Sequence, residues 1–246
     1  STPLQNYTVN FGSPPLIEVE ISKLNFVTGK GGVGKTFVTN LIREGFRKLE
    51  LAKTHPKAAL TEEFLFRTLK FHAVARFLSQ SKALQNLLSL APNLEEILKT
   101  QKWIAAAKDQ SLVVDSPSTG NFISIFQALQ TATELFDGGS LKKMALESME
   151  FFGVPGNASV FIVSIPEKSS ISESLQIDQY LKATFPAIRR IHILNRKHQL
   201  PSEDSMKSAS IEWASFIRER CKREEARMNA GSLKWDLVLH ENQRSL

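Results

Sequence analysis

A glycine-rich loop, Gly29-Lys30-Gly31-Gly32-Val33-Gly34-Lys35-Thr36, constrains this chain more than any other segment. Its spacing fits the pattern G-x-x-x-x-G-K-[ST]. Ahead of it, Leu24-Asn25-Phe26-Val27-Thr28 predicts a short buried strand. Behind it, Phe37 to Glu50 predicts a helix with Val38, Leu41, Ile42, Phe46 and Leu49 on one face. The glycines permit backbone angles that side chains resist, and they let N–H groups approach an anion closely. The helix N-terminus adds positive partial charge at the same place. Strand, loop and helix together predict a site for nucleotide phosphates, lined by Gly29 to Thr36 and by Phe37 at the first helical turn. Lys35 is expected to reach the β- and γ-phosphates, and the Thr36 hydroxyl to help hold Mg²⁺.

A second nucleotide element follows much later. Leu112-Val113-Val114-Asp115-Ser116-Pro117-Ser118-Thr119-Gly120 places an acid at the end of a predicted buried strand. A carboxylate there can hold Mg²⁺ directly or through water, opposite the phosphate loop.

Gly-Lys-Gly-Gly-Val-Gly-Lys-Thr resembles the deviant Walker A loop of the group that includes ArsA, the GET-pathway ATPase, MinD, ParA and nitrogenase iron protein. The resemblance implies an ATP-driven dimer, of identical chains or of paralogues. It further implies that Lys30 crosses the dimer interface to the partner's nucleotide and acts with Lys35 in catalysis. The Asp115 segment is similar to the Walker B and switch II element of ArsA and the GET ATPase. That likeness puts Asp115 at Mg²⁺ and makes Ser116, Pro117, Thr119 and Gly120 part of a nucleotide-sensing switch. The layout resembles short bacterial ArsA-like ATPases more than ParA or MinD, over about residues 21 to 200. Pro92 to Leu98 and Phe161 to Glu167 carry this looser part of the match. In that family a strand-end asparagine binds the adenine, and Asn195 occupies its place after Ile191-His192-Ile193-Leu194. Pro166 and Glu167 end another strand at the same edge.

Further elements fix the fold class. Ile17 to Ile21 predicts an edge strand or the approach to the loop strand, and Thr61 to Lys108 is helical in pattern. Helices are expected at Asn121–Phe136, Leu141–Phe152 and Ser172–Phe185, the last capped by Ser170 or Ser172. A long charged helix is expected over Asp204–Arg227, with Met206, Ile211, Trp213, Phe216 and Ile217 as its apolar side. Strands are expected at Ser159–Ser164, Ile191–Leu194 and Trp235–Leu239. Alternating strands and helices predict an α/β fold with a doubly wound, mostly parallel sheet. At 246 residues the chain suits one such domain over residues 16–246, with a helical elaboration at about 61–108 and a polar, flexible tail over 1–15.

Composition narrows the partners. The net charge of +6 permits nucleic acid without showing it, because the basic residues are scattered. No apolar run is long enough to span a bilayer, and the last residues are too short and polar for an amphipathic anchor. With no signal peptide visible, a cytoplasmic location is expected. The single cysteine, Cys221, excludes an internal disulfide, a C-x-x-C zinc bridge and a cysteine cluster for metalloids. A hydrophobic client surface has two candidates, the Phe- and Leu-rich stretch 61–90 and the segment Met144 to Phe152, with burial in the core as the plainer role of both.

One expected part is missing. ArsA-like enzymes carry a switch I aspartate soon after the loop helix, and no aspartate lies between the loop and Asp109. Either the chain is a degenerate member that binds ATP and hydrolyses it poorly, or a segment is absent from this sequence. Glu62 or Glu63 could substitute as a water-orienting carboxylate, although helix-surface charge accounts for both. A nucleotide-gated scaffold and a ParA- or MinD-like positioning ATPase remain as alternatives to an ArsA-like ATPase.

Overall fold

A computed structural model describes residues 6–9, 17–53, 94–230 and 233–240. The central element is a five-stranded parallel sheet of β3 (Leu24–Gly29), β4 (Leu112–Ser118), β5 (Ala158–Ser164), β6 (Arg189–Lys197) and β7 (Leu237–His240), in the order β4-β3-β5-β6-β7. Helices flank both faces, so the expected α/β architecture is the one observed. A separate antiparallel pair joins β1 (Asn6–Val9) to β2 (Ile17–Glu20). The stretch expected to be a tail therefore contains a strand, and residues 17–20 pair with it rather than with the main sheet.

The parallel strands are buried on both faces, and their side chains divide by alternation. On one face Leu24, Phe26, Val160 and Ile162 pack under α2 (Leu94–Asp109), α3 (Thr119–Leu135), α4 (Ser140–Phe152) and α5 (Lys168–Thr184). On the other, Val27, Val113, Phe161, Val163, Ile191 and Ile193 meet Val38 and Ile42 of α1 (Lys35–Lys53). The first layer is rich in rings. Phe126 lies 5.3 Å from Phe122, 5.2 Å from Phe152 and 5.0 Å from Phe185, centre to centre. These tilted and edge-on contacts suit aromatic quadrupoles.

Several boundaries differ from expectation for local reasons. The single helix expected over Asp204–Arg227 is two, α6 (Glu203–Ser208) and α7 (Ile211–Asn229). Ser202 caps the first by accepting from the Ser205 N–H, and Ser210 caps the second by accepting from the Trp213 N–H. Of the expected apolar side only Met206 is buried, and Ile211, Trp213 and Phe216 face outward. Helix α5 starts at Lys168, ahead of the expected serine caps, and the Ser170 hydroxyl instead accepts from the Ile165 N–H. The segment Met144 to Phe152 lies in α4, with Ala145, Ser148 and Phe152 buried and Met144, Met149 and Phe151 packed on the core. It is largely core, as its plainer reading had it. The stretch 61–90, Glu62 and Glu63 lie outside the described residues.

Phe126 is fully buried among the other rings. Phe126→Ala should lower stability by about 3–5 kcal/mol. Urea unfolding followed by circular dichroism measures this, and a loss under about 1 kcal/mol would contradict the packing described.

Candidate phosphate-binding site

The strand order places β3 between β4 and β5. The chain crosses from β3 to β4 on one side and returns past β3 to β5 on the other. Crevices of α/β sheets form outside the carboxyl ends of strands at such a reversal. The glycine loop leaves β3 at that point.

Gly29 ends the strand at φ 148°, and a Cβ added there would run into the Val163 carbonyl oxygen of β5. Gly32 and Gly34 also have positive φ, 82° and 89°. The loop then turns into α1, whose first intrahelical bond runs from the Val38 N–H to the Gly34 carbonyl at 3.1 Å. Helical geometry leaves the first-turn N–H groups at the loop end, where an anion would sit. The Phe37 side chain packs against the core beneath.

Lys35 folds over the loop. Its ammonium donates to the Gly29 and Lys30 carbonyls, each at 3.1 Å. Burial pushes its pKa below 10.5, opposed by the nearby charges of Asp115 and Glu173. Lys30 turns toward α5 of its own chain. Its ammonium donates to the Ser169 hydroxyl at 2.7 Å and lies 3.9 Å from the Glu173 carboxylate.

The two sequence motifs meet at one hydrogen bond. The Thr36 hydroxyl donates to Asp115 Oδ2 at 2.7 Å, across 79 positions of sequence. Asp115 does not end its strand as expected. β4 continues to Ser118, which aligns with Gly29 across an irregular register. The expected switch segment is therefore split, with Ser116, Pro117 and Ser118 in β4 and Thr119 and Gly120 opening α3. Thr28 donates to the Pro117 carbonyl at 3.3 Å, tying that segment to the loop strand. The Ser116 and Thr119 hydroxyls are buried without a hydrogen-bond partner.

Thr36 and Asp115 offer adjacent oxygen donors, the chemistry that Mg²⁺ prefers. Among the described residues no cluster of three or more His, Cys, Asp or Glu could hold a metal.

Asn195, the residue expected at the adenine, does not end its strand as expected. It is 1% exposed and lies inside β6, which runs on to Lys197. Its amide donates to the Val33 carbonyl at 2.8 Å, and its oxygen accepts from the Arg196 N–H at 3.0 Å. It braces the phosphate loop from below. Arg196 follows in the left-handed region at φ 60°. Helix α7 lies close to the same edge. Arg227 donates to the Pro166 carbonyl at 3.2 Å, and the buried Glu224 accepts from the His198 N–H at 2.9 Å.

Ser169 and Glu173 went unread in the sequence, although their i,i+4 spacing puts both on one face of α5. Their partner is Lys30, more than a hundred positions earlier, and no local pattern shows that pairing. Among the described residues no helix is long and apolar enough to cross a membrane.

No protein-family model matches the chain, and no curated protein matches it in sequence. Among solved structures it is similar to the MinD cell division protein of Aquifex aeolicus, at 15% identity and a TM-score of 0.33, over 86% of this chain and 99% of that one. It is also similar to a plasmid partition protein from Borrelia burgdorferi, at 11% identity and a TM-score of 0.33, over 86% and 100% of the two chains. Likenesses this loose carry nothing about function.

Two substitutions test the geometry of the loop. Asn195→Ala leaves a buried carbonyl at Val33 without its partner and should cost about 1–3 kcal/mol. Gly29→Ala combines positive φ with a collision against β5 and should cost at least about 1–3 kcal/mol. Chemical denaturation reads both, and a neutral Gly29→Ala would refute the close approach of loop and sheet.

Proposed function

We propose that this chain is an ATPase that holds MgATP on the Gly29–Thr36 loop. The observation that carries this reading is the Thr36–Asp115 hydrogen bond, which brings the hydroxyl of one nucleotide motif to the carboxylate of the other. The loop's glycine geometry and the position of Lys35 support it. Phosphoryl transfer asks a protein chiefly for positioning and for charge opposite the developing negative oxygens. In this reading loop N–H groups and Lys35 hold the phosphates, and Thr36 with Asp115 places Mg²⁺. Bound Mg²⁺ would supply charge neutralisation at the phosphate oxygens. The Ser116 to Gly120 segment would sense the nucleotide, its buried unpartnered hydroxyls at Ser116 and Thr119 being available to take partners there.

The finer reading is an ArsA-like ATPase that couples nucleotide to a dimer, of two identical chains or of paralogues, and through it to a client or partner protein. The deviant loop sequence supports this, with Lys30 serving the partner's nucleotide. A MinD- or ParA-like ATPase shares the loop and is equally compatible with it. A second reading rests on one observation. No aspartate lies between the loop and Asp109, which favours a nucleotide-gated scaffold that binds ATP without turning it over.

Phosphate release from MgATP by the purified chain, beside Lys35→Ala, separates these readings. An ATPase should lose about 10²–10³ in turnover with the substitution. ATP binding without release would select the scaffold. Release unchanged in Lys35→Ala would remove the loop from the reaction.

A further inference from the structure

Helix α5 presents two acceptors to the phosphate loop. Ser169 takes a 2.7 Å hydrogen bond from Lys30, and Glu173 stands 3.9 Å from the same ammonium. Glu173 is also close enough to Lys35 to favour its charged form. A single carboxylate thus stands beside Lys30, and its charge is also felt at Lys35. Glu173 and Lys30 are each about a third exposed, so water screens the pair and leaves it a modest, breakable contact.

We propose that Ser169 and Glu173 compete with nucleotide phosphate for Lys30, making α5 an internal counter-ligand that sets the affinity for nucleotide, whether the phosphate lies on this loop or on a partner's. This rests on the nucleotide reading given above and adds to it residues that act through Lys30. The chemistry is direct. A triphosphate and a Glu173 carboxylate are both anions, and the Lys30 ammonium cannot satisfy both at full strength. Nucleotide therefore binds against the free energy of the Lys30 contacts on α5. Weakening those contacts strengthens binding, because a ligand shifts an equilibrium by its differential affinity for the two arrangements. The anchoring of α5 gives the competition a fixed frame. Ser170 accepts from the Ile165 N–H, Ser174 is in close contact with Ser164, and Arg227 of α7 holds the Pro166 carbonyl ahead of the helix. The first turns of α5 are thereby held to β5, and it is the lysine that is free to change partners.

A double-mutant cycle tests this with a fluorescent ATP analogue and Mg²⁺, read by equilibrium titration at fixed low salt. Glu173→Gln should tighten binding about two- to five-fold. Ser169→Ala should tighten it less, and keeps the test available should the first variant fold poorly. In a Lys30→Ala background Ser169→Ala should have no effect and Glu173→Gln should lose most of its effect, since the lysine they compete for is gone and only the weaker influence of Glu173 on Lys35 remains. Tightening by Glu173→Gln that persists undiminished without Lys30 would mean plain repulsion between Glu173 and the nucleotide, and would overturn the proposal. Weaker or unchanged binding in Glu173→Gln and Ser169→Ala would overturn it as well. A wild-type chain that binds no nucleotide would remove the nucleotide reading itself and this proposal with it, whereas a binding wild type with an additive cycle removes only the competition.

Discussion

Strand β3 is hydrogen-bonded along both edges, to β4 on one side and to β5 on the other. Everything at the carboxyl edge of the sheet follows from that confinement. The chain must leave β3 without widening the sheet, and at Gly29 it passes so near the Val163 carbonyl that no side chain fits. The loop is then aimed across β4, where Asp115 stands within the strand. Thr36, the second residue of α1, finds that carboxylate without any adjustment of the scaffold. Rigid strands set the separation, and the two short side chains close it. Sites built this way are more exact than sites carried on loops alone.

The same edge is tied together by further hydrogen bonds. Asn195 on β6 holds the Val33 carbonyl, so the loop is braced by a strand that does not neighbour β3. Thr28 holds the Pro117 carbonyl. Glu224 and Arg227 fasten α7 to the ends of β6 and β5. A change at the loop therefore meets β4, α5 and β6 within one layer of side chains.

Much of this was legible in the sequence because it is local. The glycine loop, the buried strands Leu24–Thr28 and Ser159–Ser164 and the helix behind the loop follow from glycine spacing and apolar periodicity. That Asp115 would face the glycine loop could be read from an acid after an apolar run behind such a loop, although the strand was expected to end there and does not. The rest depended on partners far away in the chain. β4 runs past Asp115 because Ser118 pairs with Gly29, and Asn195 is buried because Val33 offers it a carbonyl 162 positions earlier. The division of the expected long helix into α6 and α7 was available locally, since Ser202 and Ser210 are both favourable caps, but a continuous charged pattern masked it. Trp213 and Phe216 read as core by spacing and lie exposed, because the buried side of α7 is formed by Ala214, Cys221 and Glu224 instead.

The central claim is that nucleotide phosphate seats on the loop between β3 and α1 and is sensed by the end of β4. Backbone hydrogen exchange measured by mass spectrometry, with and without MgATP, locates such an event directly. The account predicts slowed exchange in peptides covering Gly29 to Phe37 and Asp115 to Gly120, with β7 unchanged. Uniform exchange across both segments, or protection confined to a different edge of the sheet, would contradict it.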